Sequence, residues 1–238
     1  MDLRPLAAVE EYQAAVALQE AVWGPTETTP ANQLIATAHS GGLVLGAFSG
    51  AELMGFALAW PGRLDGQALL YSHMLAVRPE GRRHGVGRAL KWRQREWALA
   101  EGFRRMAWTY DPLRRANAVF NLNVLGAEAA RLIVNCYGRM EDPLNWGLDS
   151  DRFWVEWRLD DARVAALAAG RGDGEAADEG IWVEIPKDVE ALKATDLAVA
   201  RELQVHFRKA VEPLFAAGLR ALAIRDRAAV SAYLFSRR

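Results

Sequence analysis

The stretch Val77-Arg78-Pro79-Glu80-Gly81-Arg82-Arg83-His84-Gly85-Val86-Gly87-Arg88-Ala89-Leu90 decides how this chain is read. An apolar run, Leu69 to Val77, enters it, and a helical pattern, Val86 to Ala100, leaves it. A strand, a basic glycine-containing turn and a helix start therefore follow one another, and that order makes an anion site. The first-turn N–H groups of a helix lack internal partners, and the helix dipole adds partial positive charge there. Gly85 and Gly87, on either side of Val86, let the backbone approach a phosphate closely. Arg82, Arg83 and Arg88 add charge-assisted donors beside His84. A dinucleotide fingerprint needs G-x-G-x-x-G and a nucleotide phosphate loop needs G-x-x-x-x-G-K-[ST]. Neither is present, and the bland alternative is an ordinary basic strand-to-helix turn.

Composition bounds the rest. The chain has 238 residues, 51% hydrophobic and 25% charged, which is globular and not disordered. Nine tryptophans imply a large aromatic core. A formal net charge of −1 gives no chain-level electrostatic footprint for nucleic acid. No apolar run reaches the ~18 residues of a membrane span. Met1-Asp2-Leu3-Arg4-Pro5 lacks a signal-peptide core, so a cytoplasmic location is expected. Cys136, the single cysteine, excludes an internal disulfide and a cysteine-rich metal site, and no metal is expected.

Periodicity predicts helices over Val9–Trp23 and Pro30–Ser40, then strands Leu43–Phe48 and Leu53–Trp60 across Ser49-Gly50. The strand Leu69–Val77 and the helix from Val86 follow. Arg105–Tyr110 reads as a strand, Asn117–Leu125 as a short helix, and Leu132–Tyr137 and Phe153–Leu159 as strands. This is an α/β pattern. Asp160–Gly180, rich in Ala, Gly and Asp, reads as a linker. A strand Ile181–Ile185, a helical stretch from Val189 to Ala217 kinked or shortened by Pro213, and a hairpin around Arg225-Asp226-Arg227 form a C-terminal β-α-β-β extension. The expected organisation is a domain over 1–160, a linker over 161–180 and the extension over 181–238. So small an extension is marginal alone. Its apolar face (Leu197, Val205, Leu214, Phe215) is expected to pack on the core or on a second subunit of a homodimer.

Arg82-x-x-Gly85-x-Gly87, with Leu-Ala-Val-x-Pro before it and Gly-Arg-Ala-Leu after it, resembles the [QR]-x-x-G-x-[GA] signature of the GNAT acyltransferases. The resemblance covers about residues 5 to 160. Ser72-His73-Met74-Leu75, Trp108-Thr109-Tyr110-Asp111-Pro112-Leu113 and Ser150-Asp151-Arg152 resemble one group of it, predicted bacterial acetyltransferases. The resemblance implies the GNAT fold: a mixed, twisted central sheet flanked by helices. It also implies that acyl-coenzyme A binds at Arg82–Arg88. Leu75, Ala76 and Val77 would pair through their backbones with the pantetheine arm, and Asn117 and Asn121 would bond the same arm; as helix-cap and surface residues the asparagines have equally good bland readings.

Acyl transfer to an amine needs a held thioester, a neutral amine and a stabilised leaving thiolate. Strand period puts Tyr71, His73, Leu75 and Val77 on one face. The glutamate that serves as base in histone-modifying relatives is replaced by Tyr71, which would instead contact the amine substrate. His73, with an unperturbed pKa near ~6.5, is the candidate base, against the alternative of a core histidine. The tyrosine acid of many relatives is replaced by Leu122, four residues before Gly126; Tyr137 is the candidate substitute, against a half-exposed structural tyrosine. Asp111, Arg115 and Arg152 lie just past strand ends and could contact the substrate, the arginines through a carboxylate; structural ion pairs are the alternative for each. The expected function is transfer of an acetyl or succinyl group from acyl-coenzyme A to a small primary amine such as an amino acid. The competing class is a coenzyme A-binding regulatory or scaffold protein without turnover.

Overall fold

In the computed structural model, which describes residues 1–26, 28–140, 145–171 and 179–237, the sheet begins at the N-terminus. Strand β1 (Asp2–Pro5) pairs antiparallel with β2 (Leu43–Ser49), β2 with β3 (Glu52–Leu64), and β3 with β4 (Gln67–Val77). The β3–β4 hairpin turns at Asp65-Gly66, both in the left-handed region, which a two-residue turn matching strand twist requires. Helices α1 (Val9–Trp23) and α2 (Ala31–His39) cover one sheet face through Tyr12, Ala15, Leu18, Leu34, Phe56 and Leu58. Helix α3 (Val86–Ala100) covers the other through Val86, Leu90 and Trp97 against Leu45, Ala47 and Ala57. Strand β5 (Arg105–Tyr110) carries the chain out of this unit, Met1–Ala107, into a second unit that starts at Trp108.

The second unit holds α4 (Arg115–Ala118), which widens into a π-helical turn over Val119–Val124, then β6 (Glu128–Ile133), β7 (Arg152–Arg158), α5 (Ala162–Ala168), β8 (Ile181–Pro186), α6 (Val189–Thr195), α7 (Leu197–Ala216), β9 (Arg220–Asp226) and β10 (Val230–Ser236). Its strand order is β7-β6-β9-β10-β8, antiparallel where register is defined. Both units are therefore mixed α/β, with mostly antiparallel strands flanked by helices. No helix among the described residues is long and apolar enough to cross a membrane.

Several elements differ from the sequence reading. The strand expected over Leu132–Tyr137 lies earlier, over Glu128–Ile133, because Asn135 takes a positive φ of 47° and turns the chain. The helical stretch expected over 189–217 is two helices, each opened by its own aspartate: Asp188 accepts from Ala191 N–H and Asp196 from Val199 N–H. Pro213 does not end α7, since it sits in the last turn and removes one backbone bond only. Within the stretch read as linker, Ala162–Ala168 is helical, capped by Asp161 and burying Val164 and Leu167; residues 172–178 of it lie outside the described residues.

Residues 181–237 pack on 108–160 by an aromatic core. Phe153 of β7 meets Tyr110, Phe207, Phe215, Tyr233 and Phe235 with ring centroids 5.2–6.4 Å apart. Phe215, expected to pack on the core or on a second subunit, is covered by Phe153 and Phe235 of its own chain, whereas Val205 is 42% exposed. Tyr233 donates its hydroxyl to Pro112 O at 2.6 Å, and Trp157 its indole N–H to Leu125 O at 2.8 Å. Arg208 of α7 holds the start of β7: its guanidinium contacts both oxygens of the buried Asp151 and reaches Asp149 at 2.6 Å. Asp151 in turn accepts from Asn135 N–H.

Removing one partner of a buried ion pair strands the other charge, at a cost of about 3 kcal/mol. Arg208→Met is therefore expected to lower the melting temperature of the full chain by several degrees, measured by calorimetry. An unchanged melting temperature would show that the α7–β7 tie carries no stability.

Candidate functional site

The site grows from a fault in β4. Its register with β3 runs Trp60↔Tyr71 and Ala59↔Ser72, then Leu58↔Met74, so His73 is the extra residue of a β-bulge. On its other edge, β4 pairs with β5 in parallel through Leu70↔Met106 and Tyr71↔Ala107, and the ladder ends there. A buried strand normally satisfies its N–H and C=O groups on both sides. Beyond Tyr71 this strand satisfies them toward β3, through Met74 to Val77.

The bulge corrects the expected face. Tyr71 and His73 lie on the same side, with Trp60: the His73 ring is 4.9 Å from that of Trp60 and 6.2 Å from that of Tyr71. Leu75 and Val77 are instead on the α3 side with Ser72, since the inserted residue shifts the alternation by one. Ala76 packs on the α1 and α2 side. His73 keeps contact with solvent, yet its surroundings desolvate it and lower its pKa below the usual imidazole value. It is therefore neutral at pH 7 and able to accept a proton.

At the end of β4 the chain is pinned before it turns. Arg78 N–H donates to Met54 O at 2.9 Å and its Nε to Leu53 O at 2.8 Å. A 3-10 turn, Pro79–His84, follows, with His84 Nδ1 2.7 Å from Glu80 O. The backbone of Arg82 and Arg83 belongs to this turn; their side chains lie outside the described residues. Gly85 has φ 73°, accepts the Ala89 N–H at 2.9 Å, and opens α3. A Cβ on Gly85 would meet nothing within 4 Å, so its surroundings are open. Arg88 is exposed, and a Cβ on Gly87 would touch Val77 at an ordinary 3.5 Å. One glycine not singled out in the sequence lets α3 reach the sheet. A Cβ on Gly55 would lie 2.9 Å from Ala76 O and 3.1 Å from Leu90 and Val86.

Under the bulge lies a polar cluster that the sequence reading missed. Lys91 Nζ donates to Ser72 Oγ at 3.0 Å and to Gln94 Oε1 at 3.1 Å, and Ser72 Oγ donates to Gln94 Oε1 at 2.9 Å. All three are buried, and burial pushes the Lys91 ammonium down to about 7. The signal was available: Lys91 and Gln94 fall on the apolar stripe Val86, Leu90, Ala98 of α3.

The remaining expected residues belong to the second unit. Tyr137 is 46% exposed, its hydroxyl 2.8 Å from Thr109 Oγ1 and its ring under the Arg152 guanidinium at 5.4 Å. Arg152 is buried and donates to Asp151 O and Asn145 Oδ1. Arg115 is bidentate on Asp226, through Nε at 2.6 Å and Nη2, so its fork is filled by a carboxylate of its own chain. Asp111 accepts from Leu113 N–H and faces Arg114; desolvation raises its pKa against the pull of Arg152 and Arg114. Asn121 is buried with Oδ1 bound to the Trp108 indole N–H, while Asn117 is exposed. Leu122, where relatives carry the acid, is fully buried. Among the described residues no group of three His, Cys, Asp or Glu could hold a metal ion.

Between about pH 7 and 10.5 the unfolded chain holds a Lys91 proton that the folded chain has released, so this group makes stability rise with pH across that window. Below the window both states are protonated and the burial penalty is full. Lys91→Met removes it, and the variant is expected to be more stable than the parent by ~2 kcal/mol at pH 6. The gap should narrow as pH climbs toward 10, measured by urea unfolding at a series of pH values. A gap that widens with pH would refute the buried-lysine penalty.

The sequence profile of the Acetyltransferase (GNAT) family matches residues 9–124. No curated protein matches the chain in sequence. Among solved structures, the chain is similar to a GNAT-family protein from Desulfovibrio desulfuricans at 18% identity and TM-score 0.53, covering 66% of this chain and 98% of that one. It is also similar to the ribosomal-protein-S18-alanine N-acetyltransferase of Escherichia coli, at 17% identity and TM-score 0.53 over 68% and 95% of the two chains. An aminoglycoside 6'-N-acetyltransferase complexed with coenzyme A aligns at 15% identity and TM-score 0.52, over 68% and 98%. These structures share the fold, and the profile match spans the bulged strand and the glycine turn: residues 9–124 form a domain of the GNAT acetyltransferase family.

Proposed function

We propose that this protein transfers an acetyl group from acetyl-coenzyme A to a small primary amine, with succinyl as the alternative acyl group. The observation that carries the reading is the course of β4: a bulge at His73, a parallel ladder that stops at Tyr71, and a strand end leading through the Pro79–His84 turn into the Gly85–Val86 helix start. The α3 first turn, Gly87 and the exposed Arg88 would hold the pyrophosphate, and Leu75 to Val77 would offer backbone groups to the pantetheine arm. His73, neutral at pH 7, would take the ammonium proton directly or through water. The amine lone pair would then attack the thioester carbonyl, and collapse of the tetrahedral intermediate would expel the thiolate, with Tyr137 as the candidate proton donor. The neighbours of similar fold that act on an alanine or an aminoglycoside support an amine acceptor. An amino acid is our preferred class, and Arg152 its candidate carboxylate partner. Arg115 would have to leave Asp226 to meet a substrate carboxylate, and Asn121, whose Oδ1 accepts from Trp108, would have only its amide N–H to offer the pantetheine arm.

One second reading has an observation behind it. Tyr71 stands where relatives carry a glutamate base, and buried Leu122 where they carry a tyrosine acid. A coenzyme A-binding protein without turnover would look the same. Acyl-coenzyme A consumption, measured against a panel of amines and amino acids, separates the two. Turnover supports the transferase, and micromolar coenzyme binding with no turnover on any amine supports the other. The homodimer is tested separately by sedimentation of the full chain; exposed Ile181 on β8, the terminal strand of its sheet, and exposed Val199 and Val205 support it.

Gly85→Glu places a carboxylate and a Cβ at the backbone position closest to the phosphates, at a backbone cost of about 1 kcal/mol for the positive φ. The variant is expected to stay folded by circular dichroism and to lose coenzyme A binding by calorimetry; unchanged affinity in the folded variant would overturn the assignment of the turn. His73→Ala is expected to lose about 10²–10⁴-fold in kcat while binding coenzyme A normally. The parent's rate should fall only below the usual imidazole range, following the lowered pKa of His73, and that acid limb should vanish in the variant. A variant that keeps most of its kcat and the same acid limb would return His73 to a structural role.

A further inference from the structure

The face that α3 turns to the sheet is built from Val86, Leu90, Lys91, Gln94 and Ala98. Three of these continue an apolar stripe, and the two in its middle are a lysine and a glutamine. Lys91 is 2% exposed and Ser72, its partner on β4, 5%. So deep a pair does not meet a substrate, which excludes the hydroxyl as a nucleophile. A hydrophobic residue of similar volume would fill the position of Lys91 without the loss of hydration. Positions that break the local rule at a cost in stability cluster where function constrains them.

What the cluster does is local and geometric. Ser72 is the last residue of β4 in register before the bulge, and Met74 the first after it. A bulge that slipped by one residue would turn the next side chain to the opposite face. The bonds from Lys91 and to Gln94 hold the Ser72 side chain on the α3 side, so the extra residue is His73 and its ring goes to the Trp60 side. The other end of the tie is α3, which starts at Val86 immediately after the glycine turn.

We propose that Lys91 is a positioning residue: through Ser72 it fixes the bulge of β4 and thereby the place of the His73 imidazole relative to α3. The kinetic consequence rests on the acyl-transfer reading above, whereas the tie itself does not.

The test uses the full chain carrying Lys91→Met, with Ser72→Ala as a second variant that removes the same tie from the other side. Each is compared with the parent by kcat, KM for acetyl-coenzyme A, melting temperature and the Hε1 resonance of His73 at fixed pH without ligand. Misplacing a reacting group by a fraction of an ångström is expected to lower kcat about tenfold or more. KM should stay within about threefold, since coenzyme contacts are untouched. Lys91→Met should melt no lower than the parent, and the His73 resonance should shift or split in both variants. The double variant should lose no more than the worse single one, because both remove one interaction. If the parent turns over no amine, the acyl-transfer reading fails and the resonance alone decides the positioning. A Lys91→Met chain with kcat within about twofold of the parent and an unmoved His73 resonance would overturn the proposal. So would a variant that melts lower and loses kcat and coenzyme affinity together, as a mere packing residue would.

Discussion

Strand β4 has to do two incompatible things, and the first unit is arranged around that conflict. It must be a core strand, because Leu70 and Ala76 are buried and its ladder with β3 runs nearly its full length. It must also stop pairing with β5 after Tyr71 if anything else is to use that edge. An unpaired buried backbone group costs as much as a lost hydrogen bond. The bulge at His73 is where the strand changes from one condition to the other, and a bulge increases local twist and bends the strand that carries it. The helix covering this region cannot be placed loosely. Gly55 removes the side chain that would hold α3 off β3, and Val86 and Leu90 fill the space.

That arrangement was partly legible in the sequence. The basic glycine turn, the strand before it and the helix after it were readable because each depends on local chemistry: a positive-φ glycine, a proline opening a turn, a 3.6-residue period. The bulge was not, because alternation read from sequence assumes an unbroken period of two. One inserted residue moved Leu75 and Val77 to the other face while leaving Tyr71 and His73 together. The polar cluster under the bulge was missed for a related reason. A lysine and a glutamine on a helix read as solvent-facing unless the whole stripe is laid out, and only burial shows that Lys91 and Gln94 lie inside it.

In the second unit, arginines and aspartates past strand ends look the same in sequence whether they await a ligand or each other. Asp151 is held by Arg208 and Arg115 by Asp226, pairs separated by 57 and 111 residues in sequence. No local pattern announces such pairs. Both partners come from the C-terminal segment, so residues 181–237 supply the counter-charges for residues read as belonging to the first 160. They supply the aromatic neighbours of Phe153 as well. The marginal size of that segment is resolved inside the chain, by burying its rings on β7.

The two absent side chains of relatives meet different fates. Leu122, where a tyrosine would stand, is sealed in the core as part of the π-helical turn. A hydroxyl buried there would need a partner of its own. Tyr71, where a glutamate would stand, is half-buried beside Trp60 and His73. A carboxylate in that ring cluster would raise the imidazole pKa and hold His73 protonated, the wrong state for a base. Replacing it with a phenol leaves desolvation as the dominant influence, and the imidazole stays neutral. On the acyl-transfer reading, a phenol at position 71 and a neutral imidazole at position 73 suit one another, because the two rings share one strand face.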